Sequence, residues 1–315
     1  MRFNFLFFTL LPAALGLLFN YFFPGIHFKG LILLFLMVVL LPQFTEWDAS
    51  ILRDVLTKLK PLSLIVVIGF LLSPLWAYFI NNTLLSNSQI FVVVGFTLFA
   101  VAPGNLLATV FTDIRQGDAS LPLLFYTVSY LLALVFVPLW SQLLLGKIVP
   151  IPIVIIMRSF FLVIGVPIIV AIFIRRFLLR NATPKGVKKI KSILKIVSSL
   201  CFAAIFFIIF AERGGLLFSQ PGLAVKIIPA AAMLMLACML SGLALSKIFG
   251  LSRAATEGVM IAGATKNAFL GMAIAASAFS NKEAIVVALC GPLTQLPFMI
   301  FYVTIMGIMM KKIRM

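Results

Sequence analysis

The chain has 315 residues, of which 63% are hydrophobic and 10% charged, and its mean hydropathy is +1.22. Soluble domains run about 45–50% apolar and about 25% charged, so this composition excludes a soluble enzyme, a disordered chain and a nucleic-acid-binding domain. The net charge of +17 comes from Lys and Arg placed between long apolar runs, which suits a membrane surface and not a nucleic acid.

A bilayer core of about 30 Å needs roughly 20 apolar residues per crossing, so the length has room for about ten. In chain order the apolar segments fall near 5–23, 30–44, 61–81, 88–112, 119–143, 152–175, 193–212, 224–247, 253–280 and 284–309. All are expected as helices, because an open sheet cannot satisfy its backbone in lipid. The first runs from Met1-Arg2 to Phe23-Pro24-Gly25. It is long for a signal-peptide core and lacks a clear small-residue cleavage site, so it reads as a crossing. His27 sits in the short loop that follows and is expected at the membrane interface, as is Arg158 further on. Cys201, Cys238 and Cys290 all lie inside apolar runs, with no disulfide framework and no metal spacing. No cofactor is expected.

Loop charges give the orientation. With the N-terminus in the cytoplasm, 18 Lys and Arg collect on the cytoplasmic side and five on the other (Lys29, Lys147, Arg213, Lys226, Lys282), while Arg158 and Lys266 fall within segments. Such asymmetry is a strong positive-inside signal and places both termini in the cytoplasm. The basic stretch 175–195 is expected as a solvated cytoplasmic loop near anionic lipid. It divides the chain into a first five-helix repeat, 1–148, and a second, 149–315.

The halves share a pattern. Ala102-Pro103-Gly104-Asn105 and Gly117-Asp118-Ala119 in the first correspond to Ala264-Thr265-Lys266-Asn267 and Lys282-Glu283-Ala284 in the second. Asn105 and Asn267 are 162 residues apart, and Asp118 and Glu283 are 165 apart. Ser129 and Thr294, each eleven residues past its acid, are then repeat mates. Five crossings is an odd number, so the second half enters from the opposite side, the inverted-repeat plan of many secondary transporters. Pro103 removes a backbone donor and Gly104 relaxes the helix, so the fourth crossing is expected to break there. Gly263, Thr265, Lys266, Asn267 and Gly271 lie at the matching depth of the ninth. Paired breaks point to a binding site at the midplane, with half-helix N-termini and free backbone groups around it.

Lys266 is the least expected residue. A lysine at the centre of a crossing costs about 2.5–3.5 kcal/mol on insertion scales, so it should face a polar interior. Glu257 is two and a half turns back and cannot pair with it on an unbroken helix. Asn105, Thr109, Thr265 and Gln295 are the candidate oxygens for its ammonium. The alternatives at this position are a fixed cation for an anionic substrate, a proton carrier, or a pin between helices. Gln295 lies in Gly291-Pro292-Leu293-Thr294-Gln295-Leu296-Pro297, where two prolines free backbone groups that Thr294 and Gln295 can replace. Ser120, Thr127 and Ser129 are expected to line the cavity or to bond back to their own helix.

At these crossings the chain resembles the bile acid:sodium symporter superfamily, which includes the arsenite efflux permeases. Ala102-Pro103-Gly104-Asn105 to Gly117-Asp118 is similar to the family's Pro-Gly-Gly segment, and Asn267 to Gly271 to its Asn-Ser-Gly-Leu-Gly. The run from Gly291 to Pro297 is closer to the arsenite permeases' Gly-Pro-Leu-x-Glu-x-Pro, with Gln295 at the glutamate. The resemblance implies ten helices arranged as a core and a panel domain drawn from both repeats, with the fourth and ninth helices crossing at their breaks. It also exposes departures. The family's sodium-binding Ser-Asn pair falls on Ala108 and Thr109, two hydroxyl ligands on Pro122 and Tyr126, the ninth-helix glutamate on Ala262, its glutamine neighbour on Lys266 and a third-helix glutamine on Gly69. The arsenite permeases' cysteine falls on Gly104 and their ninth-helix glutamate on Phe269. A hard cation needs about six oxygens, and few remain.

The expectation is therefore a secondary transporter in the cell inner membrane, working by alternating access on an organic anion such as an amphipathic carboxylate. Its substrate site would comprise Asn105, Thr109, Thr265, Lys266, Asn267 and Gln295, beside helix breaks at Pro103, Gly104 and Gly263. Coupling would be to protons or absent, with Lys266 replacing the sodium charge and no metal bound. Its partners are the substrate and the bilayer; the sequence does not distinguish a monomer from a homodimer. A metalloid exporter is the alternative function. An intramembrane enzyme lacks the Ser–His pair or clustered aspartates it would need.

Overall fold

Apolar runs of this length can satisfy their backbone in lipid only as helix, and each of them contains helix. The computed structural model describes residues 2–23, 25–26, 28, 30–45, 56–151, 153–179, 182–279 and 281–313. Among these there are helices and no strands. His27 and the loop charges Lys29, Arg53, Arg180 and Arg314 lie outside the described residues.

The order is α1 (Arg2–Phe22), α2 (Leu31–Thr45), α3 (Leu59–Val67) running through a widened turn into α4 (Ser73–Thr83), then α5 (Ile90–Val101), α6 (Leu107–Ile114) and α7 (Ser120–Leu145). There follow α8 (Ile153–Phe160), α9 (Val166–Phe173), α10 (Pro184–Arg213), α11 (Gly215–Ser219) and α12 (Gly222–Ile248). The last are α13 (Arg253–Ala264), α14 (Ala268–Ile274), α15 (Asn281–Cys290) and α16 (Leu296–Ile313). Among the described residues six continuous helices are long and apolar enough to cross a membrane, and four further apolar helices are shorter. The protein is an all-α, multi-pass membrane protein.

One expectation needs correction. Part of the stretch expected as a loop is helical: α10 begins at Pro184, with Thr183 as its N-cap accepting from the Gly186 amide, and runs unbroken to Arg213. Proline at the first helical position and lysines of good helical propensity extend the helix beyond its apolar part.

The helices form two compact units, each drawn from both halves of the chain. One comprises Met1–Asp48, Pro152–Pro221 and Met272–Ile285. In it α1 packs along α10, and Gly16 permits the approach: a Cβ there would lie 2.5 Å from the Phe207 carbonyl oxygen. The rings of Phe19, Phe28 and Phe207 meet tilted or edge-on beside this crossing. The buried Glu212 closes the end of α10 by accepting from the Phe28 amide.

The other unit comprises Ala49–Ile151, Gly222–Gly271 and Val286–Met315. Its core holds Phe70, Phe96, Phe99, Tyr126 and Tyr130, all fully buried. Here α12 packs tightly on α13, with the Gly242 Cβ position 3.0 Å from the Met260 Cα. Both helix breaks lie within this unit.

Candidate functional site

The fourth segment breaks where Pro103 forbids a helical bond. α5 stops at Val101, Ala102 is extended, and α6 starts at Leu107. The ninth breaks between α13 and α14, with Thr265 extended. The two unwound stretches meet. Gly104 and Lys266 form an isolated antiparallel bridge, and the Asn267 amide donates to the Pro103 carbonyl at 2.7 Å. An orphan carbonyl of one break thus satisfies an orphan amide of the other, which is how irregular backbone survives at membrane depth.

The asparagines occupy equivalent roles. Asn105 Oδ1 accepts from the Leu107 amide at 3.0 Å. Asn267 Oδ1 accepts from the Phe269 and Leu270 amides at 3.1 and 3.2 Å. Each side chain caps the half-helix that follows it. Their amide groups tie the site together: Asn105 Nδ2 donates to the Lys266 carbonyl, and Asn267 Nδ2 to the Tyr130 hydroxyl. The helices after the breaks contribute as well. Ser129 Oγ accepts from the Gly104 amide at 3.0 Å while donating to its own helix at Tyr126. Gln295 clamps Lys266 from both sides, its Oε1 accepting from the amide at 2.7 Å and its Nε2 donating to the carbonyl at 3.1 Å.

Lys266 is 2% exposed. Its ammonium donates to the Gly69 carbonyl at 2.8 Å, in the widened turn Ile68–Leu72 between α3 and α4. That turn leaves carbonyls without their ordinary helical partners. Among the described residues no carboxylate pairs with this cation. The expected oxygens serve otherwise. Asn105 and Gln295 bond the Lys266 backbone, Thr265 Oγ1 bonds Ile261 within its helix, and Thr109 Oγ1 bonds Leu106. The sequence offered no reason to prefer a backbone carbonyl 197 residues away.

Gln295 bridges helices through the Lys266 backbone and does not repair its own helix, the other role open to it from the sequence. Thr294 does that, donating to the Leu289 carbonyl at 2.6 Å. Thr127 bonds Leu123 in its own helix. Ser120 joins Asp118 and Lys58 at the start of α7. Gly263 is required by packing: a Cβ there would meet the Ile68 side chain at 2.6 Å. Asn105 and Thr109 are half-exposed, whereas Lys266 and Asn267 are buried.

Two features have no signal in the sequence. The first is Phe125, 2% exposed. Its ring fills the space in front of both Gly69 and Gly104, where added Cβ atoms would lie 2.8 and 2.7 Å from it. The second is a buried ion pair. Arg115, one of the 18 basic residues counted on the cytoplasmic side, is 4% exposed. It donates to Glu257 from Nη2 at 2.6 Å and from Nε at 3.4 Å. The Tyr302 hydroxyl donates to the same carboxylate at 2.9 Å, and the guanidinium lies over the Tyr302 ring. Near it, at the α6–α7 turn, Lys58 bonds Asp118. Burial opposes the Asp118 carboxylate, but bonds from Lys58 and Ser120 outweigh it and hold its carboxyl below the ordinary value of 3.8. The half-helices α6 and α13 are thus fastened twice, by backbone at the crossover and by charge at their far ends.

Residues 31–220 match the sodium bile acid symporter family. The chain is 26% identical over 212 residues to a probable chloroplastic sodium/metabolite cotransporter of Oryza sativa subsp. japonica. That alignment covers 67% of this chain and 48% of the relative, so the match spans about half of the longer protein. With the membrane helices and crossed breaks described above, this match shows that the chain belongs to the sodium bile acid symporter family of membrane transporters.

Proposed function

We propose that this transporter carries an organic anion, such as an amphipathic carboxylate, by alternating access and without sodium. The Lys266 ammonium would stand where the family's cation charge is needed. The supporting observation is the buried, acid-free contact of Lys266 Nζ with the Gly69 carbonyl. A cation neutralised by no carboxylate among the described residues projects its charge on the crossover. At about 6 Å and an effective dielectric of about 20, its attraction for a carboxylate is about 3 kcal/mol. Being buried, Lys266 would act through this field, and the half-buried Asn105 and Thr109 would be the groups to meet substrate directly. Thr265, Asn267 and Gln295 hold the crossover in shape.

In this reading the chain makes ten crossings as two inverted repeats, 1–148 and 149–315, and the two compact units are the core and panel domains. The caps at Asn105 and Asn267 support the repeat, since the same side chain does the same work 162 residues apart. Both termini would be cytoplasmic and the membrane the cell's inner one. Arsenite capture at the fourth-helix break is opposed by Phe125, which leaves no room for a thiol-bearing side chain at Gly104.

Uptake of amphipathic carboxylates into proteoliposomes tests the role of Lys266. With Lys266→Met the lost attraction predicts a fall in apparent affinity of about 100-fold with the protein still folded. Near-normal uptake by that variant would remove Lys266 from the mechanism.

A further inference from the structure

The ammonium of Lys266 rests on a carbonyl that a proline has freed. In the widened turn Ile68–Leu72 the Ser73 amide reaches back to the Ile68 carbonyl. Pro74 follows in the first turn of α4 and has no amide to give. The Gly69 carbonyl thus loses both helical donors that could reach it, Ser73 to Ile68 and residue 74 to proline. The Phe70 carbonyl loses its ordinary donor, again at residue 74. The widened turns Phe161–Gly165 and Gly291–Gln295 are followed in the same way, one residue on, by Pro167 and Pro297. Prolines therefore free carbonyls at several places, and packing brings Lys266 to this one.

Side chains from two other elements satisfy the freed pair. Lys266 Nζ donates to the Gly69 carbonyl at 2.8 Å, and Trp140 Nε1, on α7, donates to the Phe70 carbonyl at 2.6 Å. The same stripe of α7 grips the turn again. Phe136, one helical turn before Trp140, stacks on the Phe70 ring with centroids 5.2 Å apart, and Phe125 faces Gly69. Ser73 ties the turn to the other break. Its Oγ donates at 2.8 Å to the Ala100 carbonyl, which is released when the Gly104 amide turns to Ser129. The segment 69–73 therefore reaches both breaks, and Trp140 holds its middle.

The two donors are not interchangeable. A charged donor bonds a carbonyl about twice as strongly as a neutral N–H does. Without the indole, the ammonium is drawn to a second free carbonyl one residue along. With the indole in place, the Phe70 carbonyl is occupied and Lys266 stays on Gly69. We infer that Trp140 is a positioning residue for the Lys266 ammonium, acting through the neighbouring carbonyls of Gly69 and Phe70. The consequence for uptake rests on the role proposed above for Lys266; the contact itself does not.

The test uses the full chain labelled with 15N-tryptophan in detergent micelles. It gives three indole N–H signals, from Trp47, Trp76 and Trp140, and Trp47→Phe and Trp76→Phe assign them by elimination. Lys266→Met should shift the Trp140 signal and leave the other two in place. Uptake of an amphipathic carboxylate into proteoliposomes reads the consequence. The bond lost in Trp140→Phe is worth about fivefold, so apparent affinity should fall about fivefold when Lys266 is present and not at all when Lys266 is already Met. Pro74→Ala returns an amide that competes for the same carbonyls, and should lower affinity without lowering the melting temperature. An indole signal unmoved by Lys266→Met would overturn the inference. So would an affinity loss in Trp140→Phe that is absent, or equal in both backgrounds. If Lys266→Met shifts the indole signal yet transports normally, the proposed function fails and the positioning contact stands.

Discussion

Replacing Glu257 by Gln tests whether the far ends of α6 and α13 are held by charge. In the native protein the Glu257 carboxylate takes two bonds from Arg115 and one from Tyr302. Glutamine keeps the shape and the Tyr302 bond but removes the charge. Arg115, 4% exposed, is then a buried cation without a counter-ion. Breaking a buried pair by removing one partner costs about 3–5 kcal/mol, whereas replacing both by apolar groups is often neutral or stabilising. At about 2–4 °C per kcal/mol for a unit of this size, the single variant should melt roughly 6–20 °C lower. Arg115→Met/Glu257→Met should recover most of that loss. Melting followed by tryptophan or dye fluorescence in detergent reads both, and uptake by the double variant shows whether the fastening serves transport beyond stability. A Glu257→Gln variant as stable as wild type, or a double variant less stable than the single, would refute the reasoning.

The Lys58–Asp118 contact gives a pH dependence of known sign. Because the folded carboxyl is held below its ordinary value of 3.8, its contribution is complete at neutral pH and is lost as pH falls through the folded value. The melting difference between wild type and Lys58→Met should be constant from pH 7 to about 5 and shrink in stronger acid; a difference that grows on acidification contradicts this. Gly104→Ala should destabilise by about 1–3 kcal/mol through overpacking against Phe125, and Gly104→Ala/Phe125→Leu should regain part of the stability. An unchanged melting temperature in the single variant would show that the ring yields freely.

The breaks are the part of the fold most legible in the sequence, because their causes are local. Pro103 cannot donate, glycine relaxes the chain, and an asparagine two residues before a half-helix amide can cap it. The apolar segments are legible for the same reason. What the ammonium of Lys266 touches is not, since one backbone carbonyl is as good a partner as another and only packing selects Gly69. Phe125 reads as one of 32 phenylalanines until the two glycines it faces are known. Arg115 counts as a loop charge when only its neighbours are considered; its partner lies 142 residues away. In the basic stretch from Lys185 to Lys195 charge density suggests a loop, whereas Thr183–Pro184 is the local signal for a helix start.

If the Lys266 amine supplies the charge for which a sodium-coupled transporter uses a dissolved cation, transport needs no sodium. The most direct measurement is uptake of an amphipathic carboxylate by the wild-type protein in proteoliposomes, with an inward sodium gradient replaced by potassium or choline at constant pH. The same initial rate is expected in all three salts. A rate that collapses without sodium would contradict it.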